Sequence, residues 1–474
     1  MKQQKIISVI YSIMLLTMIS SALKATSHSI FIPRSITTDS VLELAQNNYD
    51  FYHHDDDHCF RVYASLFGMR STKPCELARY FLPNCKSSVI VDEAGNGDIN
   101  PLWFNVISPA GSFYTSKLAL FPRRSVVGGI IVANLDLCEN WWVRVNTTVM
   151  HVKHNLNVTE TNRTQTGTIP GFATMCDGLN NPAWIAGKLP CNCDQERSGI
   201  DDIQVKLGWD FYRCDDTRRI TAYLAGVIPT GKQQTSKTLF EPLVGSKHGA
   251  FGFGFNGEWE AYDCDAALVT LMADLKYLYA FSARQIRSFD LCKHGDWSRY
   301  LLVVQAGAPL SSQPGINLLT VPVKVQPRGM IDLWTALHFD RCEMQYEIGY
   351  DFWWRQKEKI RNACIAPGFG IQSLSGICSG GGSASTANIS DGFAGPNSTG
   401  LDAAFTTITN KDLNLYSGSQ PSSHSSTIYG SIGWNRYDDC CDIAWIFSVN
   451  GSYEFGTKNA LNQWGLWATV GGTF

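Results

Sequence analysis

The chain has 474 residues, 44% of them hydrophobic and 12% aromatic, with 41 glycines and a formal net charge of −3. Such an apolar and aromatic content excludes a disordered chain, and the near-neutral charge gives no footing for nucleic acid as a partner. Mean hydropathy is −0.10, which fits a soluble protein or a membrane barrel equally well, because a barrel alternates lipid-facing apolar with lumen-facing polar residues.

At the N-terminus, Lys2 and Lys5 precede an apolar run from Ile6 through Leu16, and the small residues Ser20, Ala22 and Ala25 then offer cleavage points. This pattern predicts a secretory signal peptide over residues 1–25. The competing reading, an anchoring helix, needs about 20 apolar residues, more than the run supplies before Lys24. Residues 26–112 read as an N-terminal segment, a candidate plug with a first hairpin. Within it, His53, His54, Asp55, Asp56, Asp57 and His58 carry metal-ligand chemistry. Neighbours in an extended segment point to opposite sides, so a solvated stretch is expected and no metal site or cofactor is assigned. Phe60, Val62, Ala64 and Leu66 then alternate with Arg61, Tyr63 and Ser65, an extra strand to be paired near residues 101–108 if it belongs to a barrel.

From Phe113 onward, period-two alternation recurs in runs of about ten residues, the length at which a tilted strand crosses a bilayer. Ile203, Val205, Leu207, Trp209 and Phe211 oppose Gln204, Lys206, Gly208 and Asp210. Phe251, Phe253, Phe255 and Trp259 oppose Glu258 and Glu260, and Val269, Leu271, Leu275 and Tyr277 oppose Asp274 and Lys276. Leu333, Leu337 and Phe339 stand against Asp332, His338 and Asp340. Tyr346, Ile348, Tyr350, Phe352 and Trp354 face away from Glu347, Asp351 and Arg355, and Phe447, Val449 and Phe455 from Glu454. A soluble sandwich would alternate by the same pleat, but here the aromatic rings gather near the ends of the apolar faces, where a barrel places its interfacial girdles. The fold class expected is all-β: an antiparallel transmembrane barrel over residues 113–474, with about 12 strands, or 14 if the N-terminal hairpin joins.

Cysteines mark the tight turns: Cys138, Cys214, Cys264, Cys342, and Cys440 with Cys441. Between them fall long connections, roughly residues 155–200, 229–249, 291–328 and 357–425, rich in Gly, Ser, Asn and Pro. Short turns on one rim and long loops on the other is how outer-membrane barrels are built. Cys176, Cys191 and Cys193, and Cys364 with Cys378, suit disulfides in an oxidising compartment, or a metal site. The turn cysteines are either a ring that cross-links neighbouring barrels or buried small residues at the rim.

The last strand sets Trp464, Leu466, Ala468, Val470, Gly472 and Phe474 against Gln463, Gly465, Thr469, Gly471 and Thr473, with Trp467 the misfit. It resembles the assembly signal read by the bacterial outer-membrane insertion machinery, and that resemblance implies that Phe474 is the recognised residue, with the tight turns in the periplasm. As a whole the chain loosely resembles porin-like and fatty-acid-transporter-like outer-membrane barrels, the latter with 14 strands and an N-terminal plug. The Asn-Pro-Ala triplet of that transporter family occurs here only at Asn181, Pro182 and Ala183, in a loop. In cysteine content the chain is similar to the major outer-membrane proteins of some intracellular bacteria.

The function expected is an outer-membrane channel or transporter that passes small solutes through a polar lumen, water-filled or partly plugged. Its lining is Lys206, Asp210, Glu258, Glu260, Asp274, Lys276, Asp332, Asp340, Glu347, Asp351, Arg355 and Glu454, acid-rich enough to favour cations. The alternative is a structural or adhesive surface barrel, disulfide cross-linked and without transport. Expected partners are outer-membrane lipid and lipopolysaccharide, the assembly machinery, small solutes, and a homo-oligomer or disulfide-linked network. Enzymatic motifs are missing, with no Gly-x-Ser-x-Gly or His-Glu-x-x-His, and His338 beside Asp332 and Asp340 is the nearest constellation. Asn-x-Ser/Thr triplets at Asn146 and Asn450 fall on lumen faces, so they are not read as glycan sites.

Overall fold

A run of alternating residues can bury neither edge of its backbone by itself, and in a membrane the only remedy for strands is closure. The computed structural model, which describes residues 27–52, 60–106, 113–138, 140–164, 171–191, 193–214, 218–264, 267–306, 308–341, 343–372, 387–391, 407–438 and 443–474, closes a barrel of 12 strands. The leader-like stretch 1–25 and the cluster His53–His58 lie outside the described residues.

The wall strands in chain order are β1 (Phe60–Ser71), β2 (Arg123–Cys138), β3 (Trp141–Asn155), β4 (Gln195–Cys214), β5 (Arg218–Ile228) and β6 (Ala250–Cys264), then β7 (Ala267–Ala280), β8 (Arg328–Arg341), β9 (Met344–Arg355), β10 (Ser423–Asp438), β11 (Ile443–Lys458) and β12 (Gln463–Thr473). Each pairs antiparallel with the next, and β1 closes the ring. On one side β1 runs from Arg61↔Thr473 to Ser71↔Gln463 against β12; on the other it pairs with β2 from Phe60↔Leu135 to Arg70↔Ser125. Closure therefore takes the partner that residues 101–108 were expected to supply. Residues 101–104 instead form a 3-10 turn, and the strand after Phe113, Thr115–Ala119, is too short to cross a bilayer and pairs outside the wall. Twelve strands result, at the lower end of the expected range.

The outward face is apolar all round. Leu66, Ile348, Val449 and Leu466 are 57–75% exposed, and Phe60, Trp141, Trp209, Trp259, Tyr262 and Phe474 are exposed at the rim that carries the tight turns. A belt of this extent has no place in water and matches a bilayer bounded by an aromatic girdle. The fold is that of a membrane-spanning β-barrel.

On the inward face, flat-lying rings replace bulk. Tyr429 lies over Gly349 and Trp142 over Gly208, so that a Cβ at either glycine would collide with the ring. This keeps the wall thin and leaves the axis free. The misfit Trp467 points inward, 3% exposed, beside Val41 and Leu42 of the luminal segment.

The described parts of the long connections are folded. Their described residues, with 72–106 and 113–122, fold into a cap at the rim opposite the tight turns, built of short sheets: Ser88–Asp92 with Thr115–Ala119 and Thr159–Thr164; Ala283–Ser288 with Thr320–Gln326 and Lys359–Arg361; and Leu302–Gln305 with Ala308–Pro314 and Phe369–Ile371. Trp103, Phe104, Trp184, Trp297 and Tyr300 centre an apolar core separate from the one inside the barrel. Cys176 bonds Cys191 within the cap, Cα atoms 5.8 Å apart, and Cys193 and Cys364 are free. Asn181, Pro182 and Ala183 lie in a cap loop held by Asn317.

Candidate functional site

The site is the lumen, and its occupant is the protein's own residues 27–52. Ser27 donates its backbone N–H to Asp296 in the cap (3.1 Å), and Ser29 bonds Ser288 and Ser417 there. The segment then runs down the axis through two short helices, α1 (Ser40–Leu44), capped by the Asp39 carboxylate, and α2 (Asn47–Tyr52). The wall resumes with Phe60 at the tight-turn rim, so the segment spans the barrel from the cap towards that rim.

Two charges on this segment, Arg34 and Glu43, meet wall charges of opposite sign, and Asp39 lies 3.4 Å from Arg34 itself. Arg34, 8% exposed, bridges Asp351 and Asp332, both at 2.6 Å. Glu43, fully buried, is bonded by Lys206 and faced by Arg144 at 3.6 Å and Lys276 at 3.8 Å. Lys276 also donates to the Thr38 carbonyl and the Ser40 hydroxyl, both at 2.9 Å. In the low dielectric of such a site, unmatched charges would be prohibitive, so the segment and the wall specify one another.

Neutral contacts continue the match. Thr37 donates its N–H to Asp201 (3.1 Å), shares a hydroxyl bond with Thr148 (3.1 Å) and accepts from Asn146 (2.6 Å). Gln46 donates its N–H to Glu347, and Asn48 its amide to Glu258 (2.7 Å). Tyr49 stacks on His338 at 4.1 Å. Two spaces left between segment and wall measure about 60 Å³ and about 10 Å³, room for a few waters at most.

The expected lining divides accordingly. Lys206, Glu258, Lys276, Asp332, Glu347 and Asp351 contact the segment directly, and Arg355 donates to the Ile32 carbonyl (2.8 Å). Asp210 is paired with Arg219 and Thr221, Asp274 accepts from the Tyr223 hydroxyl (2.8 Å), and Glu454 from Gln463 (2.6 Å). Glu260 and Asp340 are only half-buried, near the tight-turn rim. His338 bonds Glu347 on the neighbouring strand (3.2 Å), where Tyr429 also donates (2.6 Å), so the expected grouping with Asp332 gives way to cross-strand pairing. Asn146 and Asn450 are buried in the lumen.

Sequence reading missed the segment's own contacts, Arg34, Thr37, Glu43, Gln46 and Asn48, and the wall residues Arg144, Asp201 and Thr148. One signal was present: Asp39 ahead of Val41, Leu42 and Leu44 is a capped amphipathic turn. Among the described residues no group of three or more His, Cys, Asp or Glu is placed to hold a metal ion.

No known protein-family profile matches the chain, and no curated protein does. Among solved structures it is similar to an outer-membrane channel of Pseudomonas putida F1, at 7% identity and TM-score 0.38, covering 89% of this chain and 99% of that one. It is also similar to the transport unit of the Escherichia coli autotransporter AIDA-I, at 8% identity and TM-score 0.32, covering 93% and 99%. A third is the Pseudomonas putida toluene transporter TodX, at 8% identity and TM-score 0.27, covering 95% and 96%.

Proposed function

We propose that the protein is a solute channel closed at rest by residues 27–52 and opened when that segment leaves the axis or shifts along it. The observation that carries this reading is chemical: beside the apolar contacts of Ile36, Val41, Leu42 and Leu44, the segment is held to the wall by buried ion pairs, which a barrel meant to stay shut does not need. Glu43 against Lys206, Arg144 and Lys276, and Arg34 against Asp332 and Asp351, are groups that water can rehydrate on separation. The emptied wall retains more carboxylates than cations, which supports a preference for cations among small solutes.

Planar-bilayer conductance tests it. Deleting residues 27–52 should convert a mostly closed protein into a steadily conducting, cation-selective one, and a Thr37→Cys/Thr148→Cys disulfide should hold the pore shut until reduced. A deletion variant that folds but does not conduct, or one that is strongly anion-selective, removes the reading. In assembly, Phe474 is read as the residue presented to the insertion machinery: its ring is half exposed, and its backbone exchanges hydrogen bonds with Phe60 (2.7 and 3.1 Å), where the first and last strands must meet. Lipopolysaccharide would contact the cap-side rim.

A second reading, a structural or adhesive surface barrel, is favoured by the cap, whose own apolar core exceeds what a simple pore entrance needs. Cross-linking belongs to it. Cys138 is exposed at the periplasmic end of β2 and free, which suits a bond to another molecule, while Cys342, Cys440 and Cys441 lie outside the described residues. Non-reducing gels of isolated envelopes should then show disulfide-linked oligomers, and a purely monomeric band removes that part.

A further inference from the structure

At the cap-side rim, where β1, the β11–β12 hairpin and the helix α3 (Pro74–Phe81) come together, the surface opens into a cavity of about 600 Å³. The volume suits a ligand of two or three sugar rings. Its lining is unlike the rest of the molecule. The chain as a whole carries a net charge of −3, yet this cavity gathers Lys73, Arg79, Lys357 and Lys458 against a single carboxylate, Glu76.

Glu76 is already engaged, accepting from Asn462 (3.0 Å) and lying 3.6 Å from Lys73. Among the described residues, Arg79, Lys357 and Lys458 have no carboxylate within ion-pair distance. Elsewhere, several buried cations of the wall and cap have carboxylate partners, as Arg34, Lys206 and Arg299 show. The unmatched cations around one cavity therefore form a local positive potential with nothing of the protein's own to satisfy it.

The floor supplies the second half of a recognition site. His28 stacks on Tyr80 (4.7 Å) and meets Tyr416 edge-on (4.9 Å); of these rings Tyr416 is the exposed one and offers aromatic surface, with Lys357 6.0 Å from it. Thr457, Asn459 and Ser422 add hydrogen-bonding groups. Rings that carry C–H faces over aromatic side chains, hydroxyls for the amide and hydroxyl groups, and negative charge for the cations describe one chemical class.

We propose that this cavity binds an anionic saccharide, carboxylated or phosphorylated. The saccharide can come free from the medium or as the headgroup of lipopolysaccharide in the same leaflet. The inference does not rest on the gating reading, since binding is measured without current.

The test uses the full chain refolded in detergent and calorimetric titration with a trimer of galacturonic acid, with neutral maltotriose and, in a separate arm, with lipopolysaccharide. The acidic trimer should bind at least tenfold more tightly than maltotriose and weaken with added salt. Arg79→Gln with Lys458→Gln should lose about tenfold in affinity, whereas Lys117→Gln with Lys237→Gln, the same charge change on exposed cap residues outside the cavity, should lose almost nothing. The same pattern seen with lipopolysaccharide alone supports the site and assigns it to the lipid-borne sugar. Equal binding of neutral and acidic trimers, equal losses in the two variant pairs, or no binding of trimer or lipopolysaccharide at about 10 mM overturns it.

Discussion

The barrel interior and the cap solve the same problem, filling a space enclosed by backbone, with different proportions of apolar and ionic contact. The cap packs Trp103, Trp184, Trp297 and Tyr300 into a dry core, as a soluble domain does. The lumen is filled by a segment that buries Ile36, Val41, Leu42 and Leu44 on the wall and adds charges that answer those of the wall. Apolar packing is stable because nothing else will solvate it, while ionic packing tolerates exchange for water. On the proposed gating, the difference separates a part built to hold its shape from a part suited to move.

The largest effect should come from the lumen. Glu43→Ala strands Lys206 and leaves Arg144 and Lys276 without their shared anion, and breaking such a buried set costs about 3–5 kcal/mol. Hydrogen exchange of residues 37–48 should accelerate while the wall strands stay protected and the heat-modifiable band is kept. If exchange there is unchanged, the ionic filling does not hold the segment and the contrast with the cap collapses. In the cap, Trp297→Ala removes a ring with no solvent exposure and its bond to the Phe81 carbonyl (2.7 Å), at a cost of about 3–4 kcal/mol. External protease should then cut the cap connections with no change in the exchange of residues 37–48.

How far the sequence reaches follows the same division. The wall was legible because alternation is local: Tyr346, Ile348 and Tyr350 against Glu347 and Asp351 can be read from neighbours alone. The turn cysteines and Phe474 then ordered the strands into one orientation. The lining residues were legible as a face, but their partners were not, since Arg34 meets Asp332 and Asp351 some 300 positions later in the chain, separations of 298 and 317. Closure of β1 on β2 and β12 was missed for a similar reason, because a strand's partner is set by the whole ring. The cap, assembled from short strands in Gly- and Ser-rich connections, has too little periodicity in any one piece to be seen.

Acid should act on the junction of the two regions. His28, 4% exposed between Tyr80 and Tyr416, has its pKa lowered to about 4, chiefly by burial and further by the charge of Arg299. In the unfolded chain it takes a proton near pH 6.5, so the unfolded state binds more protons between pH 6.5 and about 4. The stabilisation from a neutral His28 is therefore complete above pH 6.5 and lost as pH falls through that window, about 3 kcal/mol in all. His28→Gln should flatten the decline in cap stability across this range; an unaltered pH profile would show that the junction is not where protonation acts.

The smallest effect is also the most discriminating test of how the segment sits. Thr37 and Thr148 share one hydroxyl bond, 3.1 Å, with both residues fully buried. Replacing either by Val leaves the other hydroxyl short of a partner in a dry site, at about 1 kcal/mol each. Replacing both removes donor and acceptor together and puts two branched apolar groups in contact, so the double variant should cost less than the sum, with a coupling of about 0.5–1 kcal/mol. Strict additivity in a double-mutant cycle read by exchange of residues 37–48 would mean that the segment does not rest against β3. The backbone contacts of Thr37 with Asp201 and Asn146 survive the substitution, and what its hydroxyl gives Asp201 is lost equally with and without Thr148, so the coupling isolates the Thr37–Thr148 contact.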